Sequence, residues 1–280
     1  MARSEEEPGA ELVPDAAEKT KLIADLAKAF PFYQDFLQPA AQELGEGLRE
    51  VARTVNHFLL PLKGLNALLQ PAHDWLDVKL ASELQGVPEA RIQTPPPNVY
   101  LPAIQGLVTG GFSEDLRDMY VKLLATAMDK ETALDAHPAF ARILSEMTPD
   151  EARIMRVFAT DHASRPAITL DARLSSGQGE AVHVRHFSLL GIEAECEYPE
   201  STPVYLSNLV RLGLLEIPGD TSVADRSRYA PLQKSETFLA FVKEIEGMPD
   251  REPHIHREAV SLTNMGHRFC DVCVDAEVQP

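Results

Sequence analysis

Cysteine is scarce in this chain. Three cysteines among 280 residues, an odd number, supply no disulfide framework and fit a reducing compartment. Long apolar runs are missing too. No window approaches the roughly 18 consecutive apolar residues of a membrane span. Phe58–Leu69 comes nearest and is interrupted by Pro61, Lys63 and Asn66. Positive charge is also short: 26 Lys and Arg stand against 43 Asp and Glu, for a net charge of −17. Such a field repels phosphate backbones, so nonspecific nucleic-acid binding by the whole chain is disfavoured. The opening MARSEEEPGAELVPD has acidic residues where a secretion signal needs a basic and then an apolar region, and reads as a mobile tail. A cytoplasmic protein is expected. There is no internal repeat and no nucleophile motif. Ser175-Ser176-Gly177-Gln178-Gly179 lacks the lysine of a phosphate-binding loop and reads as a plain loop.

What the chain does have is 44% hydrophobic and 25% charged residues, a globular composition with ample length for a buried core. Its fullest helical pattern runs from Asn98 to Phe158. Ser113 suits an N-cap, with Glu114 and Asp115 in the first turn where the helix dipole favours acids. Leu116, Met119, Tyr120, Leu123, Leu124 and Ala127 then follow one another on a 3.6-residue period, which predicts a single buried stripe. Pro138 opens a second helix carrying Phe140, Ile143, Leu144 and Met147. Thr148-Pro149-Asp150-Glu151 is a capping box opening a third, through Ile154, Met155 and Phe158. Asp129, Asp135, His137, Asp161 and His162 all fall at predicted helix ends. There such residues cap and turn the chain, so they are read as structural rather than as an acid–base or metal cluster.

The order of these segments resembles a known family. LLATAMDK followed by HPAFARILSEMTPDEARI, with QGVPEARIQTPPPNVYLPAIQGL upstream and YLSNLVRLGLLEI and SLTNMGHRFCDVC downstream, is similar to the abortive infection alpha (Abi-alpha) family. That bacterial family is associated with phage abortive infection. The resemblance spans Leu44 to Val274, with insertions at Ser175–Cys196 and Lys234–Arg257. It implies a defence setting. It brings no catalytic residues and no cofactor.

Elsewhere the pattern predicts an acidic tail at 1–14, amphipathic helices over 15–85, a proline-rich strap at 86–98, a helical core at 99–148 and a C-terminal module at 149–280. The first block holds a helix at Asp15–Phe30, a long helix from Leu44 to Leu69 broken by Pro61, and a helix over Ala72–Gln85 with Trp75, Leu76, Leu80 and Leu84 inward. Gly86–Asn98 carries three consecutive prolines and predicts a polyproline strap. After Asp161, short strands are expected at Pro166–Leu170, Ala181–Val184, Leu214–Ile217 and Ala259–Leu262. Helices are expected at Pro203–Leu212, with Leu206, Leu209 and Val210 inward, and at Phe238–Ile245. Thr263 caps a last helix with Met265, Phe269 and Val272.

This order of helix, turn, strand, strand and helix resembles a winged helix whose wing would run from Leu214 to Leu262. The expected fold is therefore mainly α, with a winged-helix-like α+β module at the C-terminus. The candidate interaction face is Tyr205, Ser207, Asn208 and Arg211. One arginine is thin for phosphate contact, and residues 151–280 hold 13 Lys or Arg against 20 Asp or Glu, so DNA reading is disfavoured.

His267, Cys270 and Cys273 are the weak metal candidates. They share one helix face but sit at three levels of its axis, so no metal site is expected of them. The Leu44–Leu69 helix carries a mixed polar face of Glu43, Glu46, Arg49, Glu50, Arg53 and Lys63. Core or partner packing therefore suits it better than membrane contact. The reading is a non-enzymatic anti-phage protein, a binding or sensor-effector component with a protein partner or self-association. The alternatives are a winged-helix transcriptional regulator and a membrane-perturbing effector acting through residues 44–69.

Overall fold

Apolar residues at helical spacing dictate the centre of the structure, a computed structural model that describes Leu76 and residues 79–110, 113–177 and 179–274. The expected tail, the helix at 15–30 and the Pro61-broken helix at 44–69 lie outside the described residues. The chain divides into two compact units, Met1–Ile92 and Gln93–Pro280. In the first, a helical segment at 79–83 precedes a 3-10 turn at Glu89–Arg91, and Leu76, Leu80 and Leu84 are buried. The stretch at 86–98 is thus not a continuous polyproline strap. Glu89–Arg91 turns, and a helix already begins at Pro97.

The second unit starts with four helices: α1 (Pro97–Gly110), α2 (Glu114–Met128), α3 (Ala139–Ser145) and α4 (Pro149–Asp161). The predicted stripe of α2 is inside, with Leu123 0% and Leu124 2% exposed, each such leucine contributing about 1.5–3 kcal/mol by its burial. Phe140, Ile143, Leu144 and Met147 of the α3 region and Ile154, Met155 and Phe158 of α4 are buried with it. The capping box closes as expected: Thr148 Oγ1 accepts from the Glu151 N–H, and Glu151 Oε2 accepts from the Thr148 N–H at 2.7 Å. Ser113 occupies the N-cap of α2, but its side chain makes no capping hydrogen bond.

Beyond α4 the chain builds a sheet from β1 (Arg165–Leu174), β2 (Glu180–Phe187), β3 (Leu215–Glu216) and β4 (Arg251–Leu262). The order is β2-β1-β4-β3, antiparallel throughout. Short helices α5 (Leu190–Glu193), α6 (Thr202–Arg211), α7 (Ala230–Lys234), α8 (Glu236–Glu246) and α9 (Asn264–Cys273) complete the unit. The architecture is mixed α/β, and this corrects the mainly α expectation.

The winged-helix expectation also fails in its main part. β3 does pair with the end of β4, Leu215 opposite Leu262, but it is two residues long. β4 is instead the long partner of β1, in register from Arg165↔Val260 to Leu174↔Arg251. A wing's outer strand has no such central role.

One face of this sheet is apolar. Ile168, Leu170, Ala172 and Phe187 pack with Tyr229, Leu232, Phe238 and Ile245 from the α7–α8 segment. Two glycines set the route of the chain past β3. Gly213, at φ +75°, ends α6 in a Schellman motif, its N–H donating to Val210 O and that of Leu214 to Leu209 O. Gly266 passes so close to the β3 approach that a Cβ there would lie 2.0 Å from Leu214 O. Thr263 caps α9 by accepting the Gly266 N–H at 2.9 Å.

Candidate functional site

The residues singled out from the sequence do not form one site. Tyr205 is buried and its hydroxyl donates to Asp150 Oδ2 at 2.8 Å, so it is an internal strut. Asn208 Nδ2 donates to Glu146 O, and Arg211 donates to Asn208 Oδ1 and to Glu146 Oε2 at 2.7 Å. These two residues tie α6 to the α3–α4 turn. Ser207 bonds back to Pro203 O within its own helix. Val210, expected inside, is 39% exposed.

The α9 helix is intact, and its three metal candidates diverge. Cys270 and Cys273 are buried, while His267 turns outward to His162, Nδ1 to Nδ1 at 3.2 Å. Burial pushes the Cys270 thiol up to about 12 and that of Cys273 well above its ordinary value, so both are protonated at neutral pH.

The helix-end residues behave as caps and turns. Asp129 Oδ1 accepts from Glu131 N, His137 Nδ1 from Ala139 N and Asp161 Oδ1 from Ala163 N. Asp135 pairs with Arg268. His162 terminates α4 in the left-handed conformation at φ +54°.

A cleft of 670 Å³ opens beside the start of α2. Among the described residues its lining includes Ser113, Glu114, Asp115, Asp118, Arg153, Arg156 and Cys273. Asp115 anchors both arginines: Oδ2 takes Arg153 Nε at 3.2 Å, and Oδ1 takes Arg156 Nη1. Arg153 reaches onward through Nη1 to Asp150 Oδ1 at 2.5 Å. Asp150, 4% exposed, also accepts the N–H groups of Glu197 and Tyr198. Burial alone would raise its pKa; those two amides, Tyr205 and Arg153 outweigh burial and hold it below the usual carboxylate value. Neither Asp150 nor the paired arginines signalled these long-range roles in the sequence. In the sequence Asp150 stands only as a member of the capping box.

The second polar feature is the sheet face opposite the apolar one. There β1 presents Thr169 and Asp171 while β4 presents His254, His256 and Glu258, with Thr169 opposite His256 and Asp171 opposite His254. β2 is irregular here: between Ile168 and Leu170 its register slips, and His186 adopts φ +52°. Such a bulge re-aims a side chain, and the His186 ring meets Glu258 Oε2 at 2.8 Å. Thr169 Oγ1 donates to the same carboxylate oxygen. His256 Nε2 lies 2.9 Å from Asp171 Oδ2. Asp171 is buried, yet its other oxygen, Oδ1, has no hydrogen-bond partner.

The chain belongs to the abortive infection alpha family, whose description matches residues 70–273. Membership points to defence of the abortive-infection type. No curated protein matches. A solved structure, an uncharacterized protein from the hydrocarbon-degrading marine bacterium Alcanivorax borkumensis, is similar at 20% identity and a TM-score of 0.36. The similarity covers 52% of this chain and 96% of that one.

Proposed function

We propose that this chain is a non-enzymatic component of abortive-infection defence that works by binding a protein partner at the α2–α4 cleft. One observation carries the reading: the cleft is lined with charge but equipped for contact rather than chemistry. Both arginines are held by Asp115, and Cys273, the thiol that lines the cleft among the described residues, is buried and protonated. A nucleophile needs a thiolate or an adjacent base. Among the described residues, Ser113 Oγ meets Asp115 Oδ2 at 3.5 Å, an oxygen already held by Arg153 Nε. Glu114 is exposed at the rim, and the net charge of −17 steers basic surfaces toward the molecule. Nucleic acid is not the favoured partner, because Arg211, the arginine of the expected reading face, is tied to Glu146.

The test is phage plating and host survival in cells carrying the intact chain or Glu114→Lys, a charge reversal at an exposed position. The expected result is loss of protection by the variant with its thermal melt within a few degrees of the parent. Undiminished protection by a folded Glu114→Lys protein would remove the cleft from the mechanism.

A further inference from the structure

On β4 two histidines share one face of the strand, opposite a buried acid on β1. His254 and His256 are that pair, two residues apart and therefore on the same side of the sheet. Their rings stand 4.5 Å apart, centroid to centroid, at 75°. Asp171 lies directly across from His254 and already holds His256, Nε2 to Oδ2, at 2.9 Å.

Two donors each ~2.05 Å from one cation are ~2.9 Å apart at a right angle and ~3.3 Å apart at a tetrahedral one. The observed separation is the right-angle value. A hydrogen bond has the same length, so the distance alone does not decide. The carboxylate supplies a second observation: Asp171 is 5% exposed, and its Oδ1 is buried with no hydrogen-bond partner among the described residues. A buried acceptor left unsatisfied by the protein is the mark of a site completed by something else, and an ion is one such group.

The geometry points to a divalent transition-metal site on the polar face of the sheet, with Asp171, His254 and His256 as its protein ligands. Two imidazoles and one carboxylate suit zinc and its first-row neighbours, and leave coordination positions open. The His256 side chain is 41% exposed, which gives an ion a route in. Among the described residues no three such donors are already gathered as a complete set, so His254 must turn its ring toward Asp171 on binding. Residues directly opposite each other on antiparallel strands are near enough for this, with Cβ atoms about 4.5–5.5 Å apart. To ligate through Nε2, His256 carries its ring proton on Nδ1, and the cation replaces the hydrogen now lying between Nε2 and Oδ2, taking the unsatisfied Oδ1 as its second carboxylate donor. His186 and Glu258 satisfy each other beside the site and are not ligands.

The experiment is equilibrium dialysis of the full chain, tag removed and stripped with chelator, against Zn²⁺ alone. About one equivalent per chain is expected, with a rise in melting temperature on loading. His254→Gln and His256→Gln should each weaken binding by at least about tenfold. Asp171→Asn should do the same where it folds; the partly exposed His254 position keeps the test sound if it does not. His267→Gln, on the far cysteine-bearing helix, should bind as the parent does. Absence of saturable binding, binding undiminished in both His254→Gln and His256→Gln, or binding lost in His267→Gln would each overturn the assignment.

Discussion

Asp150→Ala should destabilise the protein by about 3–5 kcal/mol, because it removes the acceptor of a buried charged network. The carboxylate takes hydrogen bonds from Glu197 N at 2.9 Å, Tyr198 N at 3.0 Å, Tyr205 Oη at 2.8 Å and Arg153 Nη1 at 2.5 Å. A hydrogen bond to a charged group contributes about 1.5–3 kcal/mol net, so four taken separately would overshoot any reasonable value. Two corrections bring the figure down. Glu197 and Tyr198 are exposed residues whose freed amides regain water, and the variant no longer desolvates a carboxylate. Tyr205, 9% exposed, loses its carboxylate acceptor and keeps the side chain of Ser201 as its remaining partner. Asp150→Asn, which keeps one oxygen but turns an amide toward the donors, should cost about half as much.

The pH dependence gives a sharper test than the magnitude. Asp150 has its folded-state pKa depressed, since its donors outweigh the burial that would raise it. Its contribution is therefore present above the unfolded-state value of about 3.9 and is lost as pH falls toward the lower folded value. Urea melts of the parent and Asp150→Asn should show a constant gap from about pH 5 to 8 and a narrowing gap below about pH 4, with the m-value unchanged. A gap under about 1 kcal/mol at neutral pH, or one that is the same at acid pH, would refute the network account.

Two further predictions rest on the same melts. Thr148→Ala should cost about 1 kcal/mol through loss of the capping box, and an unchanged midpoint would mean that water replaces Thr148 Oγ1 at the start of α4. Leu124→Ala should cost about 2–5 kcal/mol, the range set by how far the core around α2 collapses into the cavity; less than half a kcal/mol would contradict the stripe assignment.

The helical half of the fold was legible because its signals are local. The stripe of α2, the Thr148–Glu151 box and the Gly213 stop each depend on residues three or four apart, and the structure places them as that spacing requires. The sheet was much less so. β4 runs REPHIHREAVSL, and only its last four residues looked like a strand. The reason is physical: over Arg251–Arg257 one face carries Ile255 toward the core while the other carries polar groups, so no apolar alternation survives. β1 keeps its alternation through Ile168, Leu170 and Ala172 but was cut short before Asp171, and the bulge at His186 broke the period of β2. Shortening three strands turned a mixed α/β sheet into an apparent wing. α6 was read correctly as a helix, but its polar residues were assigned to a partner when most of them bind the chain itself.

Sites were illegible for a different cause, since they depend on what a residue meets far along the chain. Asp115 is a helix-start acid by its position and an anchor for Arg153 and Arg156 by its contacts, the latter arginine lying 41 residues away. Asp150 has the same local role and a partner 55 residues on, at Tyr205. Asp171 and His256 are brought together only because β1 and β4 pair along their whole length, and neither strand advertised that length. The pattern is consistent: a carboxylate's local function as cap or turn is visible in sequence, and its capacity to hold a cation emerges only with the pairing of distant elements. In this chain the packing of α4 against α2 supplies that capacity for Asp115, and the pairing of β1 with β4 supplies it for Asp171.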